Sequence, residues 1–146
     1  MTTAGQADKL ELVYTILCED VRVELGPKLS LMGVIPNIIT VQQFPITLFK
    51  LAVVSRWRGL GEHLSEVRVI SPDRQQHLMV SQPTRFEIAP HGFAENINFF
   101  FHLTFSAPGQ YWVQTLIDST LRDEQPLIVS EAQVEQPAES LSETIN

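Results

Sequence analysis

Apolar and polar residues alternate with a period near two along most of the chain, and no stretch sustains the 3.6-residue period of an amphipathic helix. "LELVYTIL" (10–17) is apolar and β-branched, and "VRVEL" (21–25) sets Val21, Val23 and Leu25 against Arg22 and Glu24. A Gly26-Pro27 turn leads into "LSLMGVIPNIITV" (29–41), where Gly33 marks a bulge or a close backbone approach and Pro36 ends or bends the strand. The corner "QQFP" precedes "ITLFKLAVVSRWRG" (46–59), followed by "LSEVRVIS" (64–71), "HLMV" (77–80), "RFEIA" (85–89) and "NINFFFHLTF" (96–105). Breakers every 8–15 residues give the rhythm of an all-β sandwich or barrel. The pattern predicts an antiparallel β-sandwich, immunoglobulin-like or related, with seven to nine strands and little helix.

The end of that pattern is the most legible. In "LTFSAPGQYWVQTLIDSTLRDEQPLIV" (103–129), Phe99, Phe101, Leu103 and Phe105 fall on one strand face, and Tyr111, Val113, Thr115 and Ile117 on another. Pro108 and Gly109 make the corner between them. Gly109-x-Tyr111 has the spacing of the corner tyrosine of immunoglobulin-like sandwiches, whose hydroxyl bonds back to upstream backbone. If Gly109 occupies a positive-φ turn position, a β-branched residue there would be costly. "STLRDEQ" is expected to form the final hairpin loop, and "PLIVSEAQV" the last strand of its sheet.

Charge divides the chain. Residues 1–129 carry 13 acidic and 10 basic side chains, whereas residues 130–146 carry four Glu and no cation. The organisation expected is a flexible N-terminus at 1–9, one sandwich domain at 10–134 and an acidic disordered tail at 135–146, too poor in apolar residues to offset its ordering entropy. A nearly neutral body with scattered Lys and Arg argues against nucleic acid. No apolar run approaches the roughly 20 residues of a membrane span, and no secretory pattern opens the chain. The single cysteine, Cys18, fits a reducing compartment. Together these predict a cytoplasmic protein with no nucleic-acid or membrane partner.

"LCEDVRVELGPKLSLMGVIPNI" (17–38) resembles the opening of a family of uncharacterised bacterial proteins, through Cys18, Glu19, Asp20, Gly26, Lys28, Ser30, Leu31, Gly33 and Val34. Pro27 departs from that family's tighter Gly-Lys turn. "FPITLFKLAVV" and the "PGQYWVQTLID…PLIV" ending extend the likeness over most of 10–129. The resemblance implies a sandwich fold and no catalytic role.

Candidate chemistry is sparse. Cys18 lies beside Glu19 and Asp20, whose charges would raise a thiol pKa, so burial is the reading preferred to nucleophile or metal ligand. Glu19 and Asp20 are expected in a short link between two strands, with Asp20 bonding local backbone, and with Lys28 they form a candidate functional loop. The histidines at 63, 77, 91 and 102 have no metal-ligand spacing, and His102 points away from Phe101 and Leu103. No nucleophile-elbow or phosphate-loop motif occurs.

"SRWRGLGEHLSE" (55–66) is the strongest surface candidate. Counting by two groups Trp57 with Phe49, Leu51 and Val53, and Arg56 and Arg58 with Lys50. Either Trp57 is a core residue flanked by solvated arginines, or Arg56, Trp57 and Arg58 form a partner-binding rim. Trp112, opposed to Tyr111, poses the same choice. The expected role is a non-enzymatic protein-interaction module, binding a partner or a second copy of itself as a homodimer, without cofactor or metal. A small-molecule or carbohydrate-binding module is the alternative, with a hydrolase built on loop carboxylates behind it.

Overall fold

The computed structural model describes residues 10–26 and 28–133, and the expectations for residues 1–9 and 135–146 lie outside them. Eight strands run in chain order: β1 (Glu11–Glu24), β2 (Lys28–Ile35), β3 (Ile38–Val41), β4 (Ile46–Ile70), β5 (His77–Val80), β6 (Thr84–Phe105), β7 (Gly109–Ile117) and β8 (Thr120–Glu131). The fold is all-β and sandwich-like, with no helix among the described residues.

Several strands expected as pairs are single. β1 joins 10–17 to 21–25, so Glu19 and Asp20 sit inside a strand rather than in a link. β4 joins 46–59 to 64–70, and β6 joins 85–89 to 96–105. The glycines that looked like breakers act as a bulge instead. The β4–β6 register shifts between Gly59 and Gly61, and Gly61, at φ +97°, adopts backbone that side-chain-bearing residues rarely tolerate. The long hairpin thereby bends without breaking.

The bend lets β4 serve two layers. Its first half pairs β1 on one side and the second half of β6 on the other, with β2 beyond β1. Its second half pairs β7 on one side and β5 and the start of β6 on the other, with β8 and then β3 beyond β7. Leu51 and Val53 from the first layer meet Val67, Val69, Val113 and Leu127 from the second in one buried cluster. A smaller cluster gathers Leu10, Trp57, Ile88 and Ile117.

Two topological expectations change. β3 pairs β8 in parallel, Ile38 opposite Ile128 through Val41 opposite Glu131, so the sheet is mixed. β8 is therefore covered rather than last. Pro36 ends β2 as its missing N–H requires, and Asn37, at φ +63°, turns the chain from one layer to the other. The Asn37 carbonyl accepts from the Ile128 N–H at 2.9 Å, and its side-chain amide donates to the Pro126 carbonyl at 2.7 Å.

The corner at the end of β6 is as the spacing suggested. The Tyr111 hydroxyl donates to the Ala107 carbonyl at 2.6 Å, with the ring buried edge-on against Phe105 at 4.7 Å. Gly109 does not occupy positive φ; a Cβ there would lie 2.8 Å from the Pro72 ring, so close approach is what demands glycine. The final loop is only two residues, Asp118 and Ser119, at φ +52° and +70°.

Candidate functional site

Side-chain placement in the first layer departs most from simple alternation at the end of β6. Phe100, Leu103 and Phe105 point inward, whereas Phe99 and Phe101 are exposed, because His102 at φ +57° shifts the phase. Phe49, opposite His102 across β4–β6, is 68% exposed rather than grouped with buried Leu51 and Val53. Its ring meets His102 at 5.5 Å and Phe101 at 6.1 Å, both edge-on. Three phenylalanines thus stand on the surface around Lys50, whose ammonium lies 4.8 Å from the Phe99 ring centre and 5.7 Å from that of Phe101.

Lys50 also donates to Asp20 Oδ1 at 2.7 Å, the same oxygen that accepts the Val21 N–H at 2.8 Å. The Lys50 bond, aided by the backbone N–H, holds the Asp20 carboxyl below the usual carboxylate range. Glu19 lies across Gly33, where a Cβ would come within 2.6 Å of its carboxylate. Gly33, at φ +66°, is the close approach its place in an apolar run suggested. Beyond this point Val21, Leu29 and Leu31 pack against a separate buried cluster of Cys18, Ala52 and Val54. Cys18 is fully buried, and burial, together with the Asp20 and Glu19 charges, raises its thiol pKa despite a bond to the Asp20 carbonyl.

The same departure opens a groove. The last β1–β4 pair is Cys18 with Ala52, while β4 continues back to Ile46, bonded there to β6 alone among the described residues. Between the diverging strands lies a groove of about 610 Å³, lined by Glu19 and Asp20 of β1, Val34 and Ile35 of β2, Ile38 and Ile39 of β3, and Leu48, Phe49 and Lys50 of β4. The Asp20–Lys50 pair links two of its walls.

The other sequence candidates are placed elsewhere. Trp57 is 1% exposed and belongs to the smaller cluster, so it offers no face to a partner. Arg56 donates to Glu95 at 2.8 Å and covers Phe93 at 4.3 Å, and Arg58 pairs with Glu11. Glu95 also accepts from the Tyr14 hydroxyl at 2.9 Å; burial and that carboxylate raise the Tyr14 pKa. Trp112 lies beneath Arg74 at 4.2 Å, whose guanidinium is held by both oxygens of Glu124. Lys28 begins β2 opposite Glu24, four strand positions from the level of Asp20. The structure therefore separates Lys28 from Glu19 and Asp20 and puts Lys50 in its place. Phe49, Phe99 and Phe101 were missed, although three consecutive phenylalanines cannot share one face of a strand.

A groove-bearing, sandwich-like all-β protein is the class that this geometry defines. The chain belongs to DUF6941, a family of unknown function, which matches residues 13–130. No curated protein matches it. Among solved structures it is similar to the Pseudomonas fluorescens alkylpurine DNA glycosylase AlkC bound to DNA containing an abasic site analog, with 6% identity and a TM-score of 0.54. The match covers 84% of this chain and 30% of that one, a likeness of fold alone.

Proposed function

We propose that the protein is a non-enzymatic interaction module that takes an extended segment of a partner protein into the groove, adding it as a strand to β4. The observation that carries this reading is the edge of Ile46–Leu51, bonded to β6 on one side and without a β1 partner on the other, with Leu48, Phe49 and Lys50 lining the groove. Six residues offer about 17 Å of strand edge, and such edges capture extended peptides through main-chain bonds while flanking pockets read alternate side chains. Val34, Ile38 and Phe49, each at least half exposed, supply the apolar walls. Glu19 and Asp20 outweigh Lys50 by one charge, so the fitting segment alternates apolar residues and carries a Lys or Arg.

The chemistry of the site supports a binding role. Burial raises the Cys18 thiol pKa and Lys50 engages the Asp20 carboxylate, which makes Cys18 a poor nucleophile and Asp20 a poor general acid. Neither tryptophan offers an open platform to a sugar, because Trp57 is buried and Arg74 covers Trp112. Six of the ten cations, Lys50, Arg56, Arg58, Arg68, Arg74 and Arg85, sit in ion pairs, which favours a protein over a nucleic-acid partner. The run from Cys18 to Val34 builds two groove walls, so we read it as the shared signature of a bacterial family acting in the cytoplasm.

Panning a random twelve-residue peptide library on the full chain tests the reading. Binders should share alternating apolar positions with a basic residue and slow amide hydrogen exchange across Ile46–Leu51 at least tenfold. Binders that leave those amides unchanged would sink it. Doubling of mass in light scattering, with protection of the same amides, would make a second copy the occupant instead.

A further inference from the structure

Between the two buried clusters that span the layers, the interior is polar. Along β4 the inward series runs Val53, Ser55, Trp57, and along β7 it runs Val113, Thr115, Ile117: larger cluster, hydroxyl, smaller cluster. β1 repeats it with Leu17, Thr15 and Leu12, and β6 with Phe100, then Asn98 and Asn96, then Ala94. Strand register puts Thr15, Ser55 and Asn96 at one level of the first layer, and Thr115 and Asp123 at one level of the second. Ser55 stands opposite Thr15 on one side and Asn96 on the other, while Thr115 stands opposite Val67 and Asp123.

The level is joined across the layers. The Thr15 and Ser55 hydroxyls are 3.1 Å apart, and Gln125 Nε2 of the second layer donates to the Thr15 carbonyl of the first at 3.3 Å. Yet five buried side-chain atoms have no protein partner: Trp57 Nε1, Ser65 Oγ, Asn96 Nδ2, Thr115 Oγ1 and Asp123 Oδ2. Trp57 clusters with Ile117, which pairs with Ser65, so these atoms belong to the same level or its lower border. Buried polar groups are paired as a rule, and a concentration of exceptions in one layer calls for a partner outside the protein.

We propose that this layer is a binding site for internal water, which bridges the two layers of the sandwich. The orphaned set is mixed: two N–H donors, two hydroxyls and one carboxylate oxygen. An anion would be repelled by Asp123, and a cation would find a single carboxylate beside two N–H donors. Among the described residues no group of three His, Cys, Asp or Glu could hold a metal. Water donates and accepts at once, and typically makes about three bonds at such sites.

Water–protein cross-relaxation measured by NMR on the labelled full chain tests this. The Trp57 indole N–H should show a cross-peak to water with the sign of a tightly held molecule. Trp112, on the outer surface beneath Arg74, is the internal control and should lack it. In a Ser65→Ala/Thr115→Val double variant the Trp57 cross-peak should fall to less than a third while the Trp112 signal is unchanged. Absence of the Trp57 cross-peak in the wild-type chain would overturn the proposal even if the variant fails to fold. Its persistence at full strength in a folded variant would overturn it too.

Discussion

The hairpins at the two ends of the fold are built to opposite plans. β7–β8 is enclosed, with β4 on one side and β3 on the other, and Tyr111, Val113, Thr115, Ile117, Leu127 and Val129 are all buried. Its two-residue turn is tied down: Asp118 accepts the Leu64 N–H at 3.0 Å and bonds His63 Nδ1 at 2.8 Å. β1–β2 is bonded only along β1, and its distal half leaves the layer at Gly33. It keeps Val23, Leu25 and Val34 at 68%, 92% and 58% exposure. Enclosure uses up backbone bonds and apolar surface in the native state, whereas the open hairpin leaves both beside the groove. Stability should therefore respond to changes in β7–β8 and recognition to changes around β1–β2.

The sharpest break would come at Phe105, which is fully buried against Tyr111. Phe105→Ala should cost about 3–5 kcal/mol in urea denaturation, since a large cavity is left in a packed interior. Tyr111→Phe should cost about 1–2 kcal/mol by the same measurement, because the Ala107 carbonyl loses its donor. Neither should change peptide capture per folded molecule.

A smaller effect separates two carboxyls of the enclosed hairpin. Burial opposes the charge on Asp118, but the His63 and Leu64 bonds outweigh it and lower the pKa. Its contribution is then full above the ordinary carboxylate value of about 4 and fades as the pH falls through the lower folded value. Asp123 is the reverse: burial dominates the Thr15 and Gln125 bonds and raises its pKa. It favours the folded state below the ordinary value, and that advantage is lost as the pH rises through the raised one. Urea midpoints taken from pH 3 to 7 should show Asp118→Asn losing stability mainly at the upper end. Asp123→Asn should lose its disadvantage, or gain, at that same end. Parallel curves for the two variants would mean that hairpin packing, not charge placement, governs both sites.

The smallest change in stability should come from the most consequential groove residue. Phe49→Ala should alter stability by no more than about 0.5 kcal/mol, as exposed positions do, yet weaken the selected peptides at least tenfold. A loss of several kcal/mol with intact capture would erase the distinction between the hairpins.

What could be read in the sequence follows the same division. Tyr111 and Cys18 were legible because local alternation and neighbouring charges decide their surroundings, whereas alternation left Trp57 open between core and rim. Alternation put Phe99 and Phe101 on one face with Leu103 and Phe105; His102 reverses the phase between them, and no local preference announces a positive φ at histidine. Glu19 and Asp20 looked like a link because acidic pairs favour turns, but pairing with β2 carries the strand through them. Lys50 meets Asp20 across 30 residues, and β3 meets β8 in parallel across the whole fold. The groove depends on both, so periodicity within a window of ten residues could not reveal it.

That parallel pairing has a consequence for the order of assembly. Ile38 waits for Ile128, 90 positions later (128 − 38), before β3 has a neighbour to bond. Closing so long a loop is entropically costly and slow, and rewards come only after nearer contacts have formed. On a ribosome, which releases the chain from its N-terminus, β3 stays unpartnered until β8 has emerged. Ile38 and Ile39 are one wall of the groove, so the wall is set only when nearly all of the described chain is outside. A half-made molecule would have β4 and the exposed phenylalanines but no finished receptor, and a partner would meet the complete groove only after β8 had emerged and paired with β3.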